Sequence, residues 1–434
     1  MGRVSRRAVL WIAFAVVHVG VAWLGFLMPN EPMGDVYRVY EPWSTQALEG
    51  GGIVGITEPW VYPQLALVPM ILAHAFAWIA GYTVAWAILV TLVDAVAFAM
   101  LVGRGHSTGR TTAAWFWLTY LAMLGPVAIY RIDGITVPMA IIGCLWLVGR
   151  PWAASLLLAA ATWMKVWPAA LLAAAVVAVR RRGAIVGGAL AVSALTIGAV
   201  VAAGGGAHVF GFLTEQTSRG IQVEAPVAAP YLWGALLGIP GFEVYYSQEL
   251  LTFQVRGAGI DAVVAAMTPV LVVVIAAIVV VGAFKAARGV RFVALLPVLA
   301  FALVLGFIVC NKVGSPQYLV WLVPPLVIGL VIARGAWVGP ATAALGAALL
   351  TQLVYPLLYN GILYPAPVAV TILTVRNLAL VVLFVWMTVR LIRLPIPATV
   401  TGTVPGGPHA DRLLRRPQRN PERNPERPAD EYVG

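Results

Sequence analysis

Hydrophobic stretches of membrane-crossing length recur along this chain, and the charged residues between them are sorted by sign. Helices are expected, because a backbone inside ~30 Å of hydrocarbon must satisfy its polar groups internally and about 20 apolar residues are needed to cross it. The spacing predicts about twelve spans, near 8–28, 83–102, 112–129, 135–149, 152–164, 166–179, 184–203, 261–284, 291–309, 317–333, 337–354 and 367–390. Charged residues make up only 10% of the 434, against roughly 25% in soluble domains, so a soluble enzyme is excluded. No run of alternating ten-residue strands points to a barrel. Cys144 and Cys310 are too few for a disulfide framework and lack metal-ligand spacing.

With the amino terminus placed in the cytoplasm, most of the 28 lysines and arginines fall on the inner side. Arg3, Arg6, Arg7, Arg104, Arg110, Arg150, Arg180, Arg181 and Arg182 are among them. Most of the 17 acids fall outside. The positive-inside rule favours this arrangement and reads the net charge of +11 as topology. A nucleic-acid role would need basic residues on a folded soluble face, and no such face is legible. The stretch 62–79 is apolar enough to span, but counting it would put Arg104, Arg110 and Arg150 outside. It is expected to lie in the outer interface or dip into it. The first span reads as a retained anchor, since no small-residue cleavage site precedes Met28-Pro29-Asn30. Residues 395–434 are rich in Pro and Arg and are expected to form a disordered cytoplasmic tail. The membrane domain is therefore 1–394.

The polar residues of interest collect outside. Two outer loops, 29–61 and 204–260, are long enough to build a site. Short turns add Arg131-Ile132-Asp133-Gly134 and Asn311-Lys312-Val313-Gly314-Ser315-Pro316-Gln317-Tyr318. Together they offer carboxylates, cations, amides and phenols, a set suited to a sugar and a phosphate at a membrane surface. Asp94 sits mid-span, where it is either a partnered structural acid or part of a proton relay. Lys165 divides two apolar runs of 13 and 14 residues, each only about 20 Å long as helix and short of a full crossing. Their junction should lie in a wet, protein-walled cavity, where Lys165 would meet a phosphate or carboxylate. The alternative is that Lys165 snorkels to the interface. Asp35 follows the first span closely. It is either a surface acid or a base that takes a proton from an attacking sugar hydroxyl.

Four elements resemble those of the membrane-embedded GT-C glycosyltransferases, most closely the family-87 polyprenol-phosphate-mannose-dependent mannosyltransferases. The first loop has Asp35, Tyr37 and Tyr40, a Gly turn, then Tyr62-Pro63-Gln64-Leu65, where the family often has Tyr-Pro-Pro-Leu. The others are Lys165-Val166-Trp167-Pro168, Arg219-Gly220-Ile221-Gln222-Val223-Glu224 and Ser315-Pro316-Gln317-Tyr318-Leu319-Val320-Trp321. The resemblance implies an all-α, polytopic protein of GT-C-type architecture with helical outer loops. It also implies an inverting transferase in which Asp35 is the general base. The donor would be a polyprenyl-phosphate-linked mannose, and the acceptor a lipid or lipoglycan at the outer face of the plasma membrane. No cofactor, metal or nucleic acid is implied. Arg219, Lys312, Lys165 and, more weakly, Arg131 are candidates for the donor phosphate. Tyr37, Gln222, Glu224, Gln317 and Tyr318 either contact sugar hydroxyls or brace loops. A lipid-carrier flippase or solute transporter is the alternative, although no internal repeat of the transporter kind is visible. A structural membrane scaffold is the third reading.

Overall fold

The computed structural model describes residues 5–397 apart from 218, 249 and 251. The protein is an all-α, multi-pass membrane protein. Helix α1 (Arg6–Leu27) is started by Ser5, whose hydroxyl oxygen accepts from the amide of Ala8 at 3.2 Å. A π-helical turn, Val36–Tyr40, runs into α2 (Glu41–Leu48). A broken helical run, Gln64–Ala80, contains α3 (Leu67–Ala73) and α4 (Ala77–Ala80). The bundle continues through α5 (Tyr82–Val102), α6 (Thr108–Leu124), α7 (Asp133–Trp146), α8 (Pro151–Thr162), α9 (Ala169–Ala178) and α10 (Arg182–Ala202). After α11 (Gly211–Thr217) and α12 (Ala229–Leu236) comes a hairpin of β1 (Glu243–Ser247) and β2 (Thr252–Arg256). Helices α13 (Ile260–Ala287), α14 (Phe292–Val309), α15 (Val323–Gln352), α16 (Asn360–Leu363) and α17 (Pro367–Ile392) complete it.

Among the described residues seven helical segments are long and apolar enough to cross a membrane: α1, α5, α10, α13, α14, Pro316–Leu357 and α17. Every stretch expected as a span is helical, but the lengths differ from a uniform set of twelve. Helices α6 to α9 run to 17, 14, 12 and 10 residues. The stretches 317–333 and 337–354 are two helices that meet at Ala333, whose backbone (φ −147°, ψ 61°) is not helical. The short helices leave room for irregular backbone, which is tolerated at membrane depth only where protein covers it.

Several of the basic residues gather at one end of the bundle. Arg110 donates to Met100 O at 3.0 Å, Lys285 to Leu394 O at 2.8 Å and Arg390 to Ala336 O at 3.0 Å. Gly109 on α6 lies where a Cβ would come within 2.7 Å of Val331 O, so these backbones meet without side chains between them. At mid-span His18 Nδ1 donates to Phe14 O at 2.9 Å, and its Nε2 lies 3.0 Å from Asp94 Oδ2. Asp94 is thus partnered, and the pair ties α1 to α5.

The connections at the opposite end are longer. Gln64–Ala80 starts beside α8, where Leu65 N donates to Trp163 O at 3.0 Å, and its middle returns to the start of α5, where the Tyr82 hydroxyl donates to Met70 O at 2.8 Å. The His74 ring lies 2.8 Å from the Ser44 hydroxyl of α2. Both contacts hold the run at one end of α5. The long loop before α13 carries a hairpin as well as short helices. Its strands, Glu-Val-Tyr-Tyr-Ser and Thr-Phe-Gln-Val-Arg, are rich in the β-branched and aromatic residues that fit a pleat. Glu243 pairs with Arg256 across the strands at 2.7 Å. Residues 221–223 add to its edge, with Val255 N donating to Ile221 O and Val223 N to Phe253 O. The tail expected as disordered lies outside the described residues from 398 onward.

Candidate active site

Helix α6 stops at Gly125 (φ +69°), and the chain turns through residues 129–132 before α7. That turn presents two opposite charges two residues apart. Arg131 faces the first loop. Its Nη1 donates to Pro32 O at 2.8 Å and Tyr130 O at 3.0 Å, and its Nε lies 3.2 Å from Asp35 Oδ2. Its Nη2 donates to the Tyr355 hydroxyl at 3.4 Å. The Arg131 side chain is 6% exposed and that of Asp35 is 35% exposed. Asp35 is therefore paired through Oδ2, and its side chain remains one-third exposed. Burial opposes the charge on Arg131, but the Asp35 carboxylate and the oxygens of Tyr355 and Tyr40 more than offset it, keeping the guanidinium charged. Tyr355 also donates to Asn30 O at 3.2 Å, and Asn30 Nδ2 donates to Pro356 O at 2.7 Å, so the loop carrying Asp35 is fastened to the end of α15.

Asp133 faces the other way and is fully buried. Its Oδ1 accepts from Trp321 Nε1 at 2.6 Å, and its Oδ2 stands 3.8 Å from Lys165 Nζ. Lys165 occupies the break between α8 and α9 and lies 4.5 Å from the centre of the Tyr62 ring. This is a cation–π distance. Trp167 stacks on Trp321 with ring centres 5.7 Å apart, and Tyr318 stacks on the same indole at 4.0 Å. Trp167 Nε1 donates to Thr136 Oγ1 at 3.1 Å. Lys165 lies within electrostatic reach of Asp35 as well as Asp133, and Tyr318 within reach of Lys165, Asp133 and Arg219. Among the described residues the buried Arg219 Nε has no hydrogen-bond partner.

The segments 219–224 and 311–318 are braced against each other. Gln222 N donates to Lys312 O at 3.0 Å, and Gly314 N donates to Gln222 Oε1 at 3.2 Å. A Cβ on Gly314 would fall 2.2 Å from Ala225 N, so only glycine allows this approach. Glu224 is buried with Arg376 of α17, whose Nη2 lies 3.3 Å from Glu224 Oε2 and donates to Glu224 O at 3.2 Å. Burial pushes the Glu224 carboxyl up to about 7, against the pull of Arg376 and Arg131.

The structure thus brings Asp35, Arg131, Lys165 and Tyr318 into one cluster, with Arg219 and Glu224 at its margins. Arg131, expected at a phosphate, is engaged with Asp35. Gln222 braces a loop, Gln317 accepts from the Ser315 hydroxyl, and the Lys312 side chain is buried beneath its loop. Tyr37 lies elsewhere. The Arg38 guanidinium sits 5.6 Å from its ring, and it lines a separate open cleft of about 490 Å³ with Glu41, Gln46 and Glu49. Among the described residues no three His, Cys, Asp or Glu side chains form a metal-ligand group. Asp133, Trp321, Tyr62, Tyr355 and Arg376 belong to the site's framework but were not singled out as site residues by sequence reasoning. The opposite charges of Arg131-Ile132-Asp133 and the lone Arg376 in an apolar span were readable signals, whereas Tyr355 offered none.

Residues 60–311, more than half of the chain, match the family model described as Glycosyltransferase family 87. The match includes Tyr62, Arg131, Asp133, Lys165, Arg219 and Glu224, beginning after Asp35 and ending before Tyr318. No curated protein and no solved structure matches the chain.

Proposed function

The chain belongs to glycosyltransferase family 87, and on that premise we propose that it transfers mannose from a polyprenyl-phosphate donor to a lipid-anchored glycan, with inversion at the anomeric carbon. The observation that carries the proposal is the Asp35 carboxylate, fixed on one oxygen by Arg131 at 3.2 Å and one-third exposed. A base must be held within hydrogen-bond reach of the proton it takes. Arg131 fixes the carboxylate's orientation. The free oxygen then accepts the proton of an acceptor hydroxyl as that hydroxyl bonds to the anomeric carbon. The bond from that carbon to the phosphate oxygen breaks, and polyprenyl phosphate leaves with the electron pair. Lys165 and Arg219 meet the charge that develops on the leaving phosphate.

Tyr318, at the half-buried end of the Trp167–Trp321 stack, supplies a face for the sugar ring. Gln222, Gln317 and the Glu224–Arg376 pair keep the loops that carry Arg219 and Tyr318 in place. The site belongs to the outer face of the plasma membrane, because the opposite end holds the arginines that the positive-inside rule assigns to the cytoplasm. The test is an in vitro assay with labelled polyprenyl-phosphate mannose, a panel of lipid acceptors and linkage analysis of the product. An α-linked mannoside formed from a β-linked donor supports the proposal. Retained configuration, or transfer only from a nucleotide sugar, rejects it.

A further inference from the structure

A second feature lies at the arginine-rich end of the bundle. Where α15 kinks at Ala333, it parts from α14 and α17 and leaves a cavity of about 250 Å³. Val293 and Ala294 of α14, Ile332, Ala333 and Trp337 of α15, and Leu394 form its apolar walls. Its one charged wall residue is Arg390 of α17. The Arg390 guanidinium lies 4.7 Å from the centre of the Trp337 ring and donates to Ala336 O at 3.0 Å.

Among the described residues no carboxylate pairs with that guanidinium. Every described Asp and Glu lies towards the other end of the bundle, except Asp94, which is paired at mid-span with His18. Arg291, Arg334 and Arg393 add further exposed positive charge at the same end. A cation partly removed from water and surrounded by like charges favours an external anion. The segment after residue 397 is a poor source of one, because its five acids are outnumbered by six arginines. An anion that also matches apolar walls at the end of membrane-spanning helices is a phospholipid, with its phosphate on the cation and its first methylenes against the apolar side chains. Basic pockets between membrane helices take anionic headgroups in this way.

We infer that the Arg390 cavity is a binding site for an anionic phospholipid of the surrounding bilayer. The lipid phosphate pairs with Arg390, and the start of an acyl chain lies against Val293 and Ile332. The bound lipid fills the gap at the Ala333 junction and braces the two halves of α15, one continuing from the segment that carries Tyr318 and Trp321 and the other leading to Tyr355. The inference stands independently of the glycosyl-transfer reading.

Native mass spectrometry of the full chain tests it, using phosphatidylglycerol and phosphatidylcholine with identical acyl chains. The expected result is about five-fold greater retention of phosphatidylglycerol. Arg390→Gln should abolish this preference, and so should Ala294→Leu, which fills the apolar half of the cavity and keeps the cation. Arg288→Gln, an exposed arginine at the same end but outside the cavity, should preserve it. Equal retention of the two lipids overturns the inference, as does a preference that survives Ala294→Leu in a folded protein. Displacement of phosphatidylglycerol by millimolar inorganic phosphate also overturns it, because the site would then be one for free phosphate.

Discussion

Asp133 and Lys165 stand 3.8 Å apart, with the Asp133 side chain fully buried and the Lys165 side chain 15% exposed. Asp133 is itself held by the Trp321 indole N–H at 2.6 Å. The acid therefore fixes where the cation points, and the tryptophan fixes the acid. If Lys165 binds the donor phosphate, Asp133 is a positioning residue for it. Asp133→Asn should raise the KM for donor several-fold and leave the KM for acceptor unchanged. The cost should vanish when Lys165 is already alanine, since residues acting through one another are not additive. Donor kinetics of the two single variants and the double variant measure this. Fully additive losses would show that Asp133 serves only the fold.

The Glu224–Arg376 pair sets a pH dependence. Burial raises the Glu224 carboxyl from its ordinary value to about 7, so the folded protein binds this proton more tightly than the unfolded chain. The sign follows from proton linkage: this contribution to stability is complete below pH ~4.5 and is lost as pH rises through about 7. Its size is on the order of 1–3 kcal/mol. Thermal melts in detergent should show the wild type losing stability between pH 5 and about 7.5 relative to Glu224→Gln. Parallel curves for the two proteins would contradict it. Arg376→Met should also cost stability near neutral pH, because the buried Glu224 carboxyl loses its cation and must take up a proton.

Gly314 is the contact point between the two braced loops. Gly314→Ala would put a methyl group 2.2 Å from Ala225 N, which is backbone and cannot swing aside. The loops must part, at a cost of about 1–3 kcal/mol. Transfer should fall at least ten-fold while the protein still inserts and purifies, because Arg219 and Tyr318 sit on those loops. Wild-type kcat/KM in this variant would show that the brace has no part in the site.

Much of the fold was legible because membrane spans announce themselves in composition. Every expected span is helical, and the 62–79 stretch forms a broken helical run in contact with Ser44, Tyr82 and Trp163. Lengths were less legible. Helices α8 and α9 stop a few residues short of the junction expected at Lys165, and the break expected between 333 and 337 falls at Ala333. The hairpin at 243–256 was missed because its alternation is short and lies inside a loop read as helical.

The site was partly legible for the same kind of reason. Lys165 stood out as a lone charge between two half-length runs, and Asp35 by its place after the first span. Which cation would meet which acid was not readable. Arg131 and Asp133 share one turn but reach different loops, a choice made by packing among segments far apart in sequence. Tyr37 is two residues from Asp35, yet it turns towards Arg38 and the separate cleft.

The central claim is that Asp35 removes the proton from the attacking hydroxyl, and the most direct measurement is transfer from labelled polyprenyl-phosphate mannose by Asp35→Asn beside its binding of polyprenyl phosphate. A base in this role contributes about 10²–10⁴-fold to rate. The account expects transfer to fall by that order while product binding stays within a few-fold of wild type, because Lys165 and Arg219 are untouched. Wild-type transfer by Asp35→Asn, in protein that inserts and binds polyprenyl phosphate normally, would contradict it.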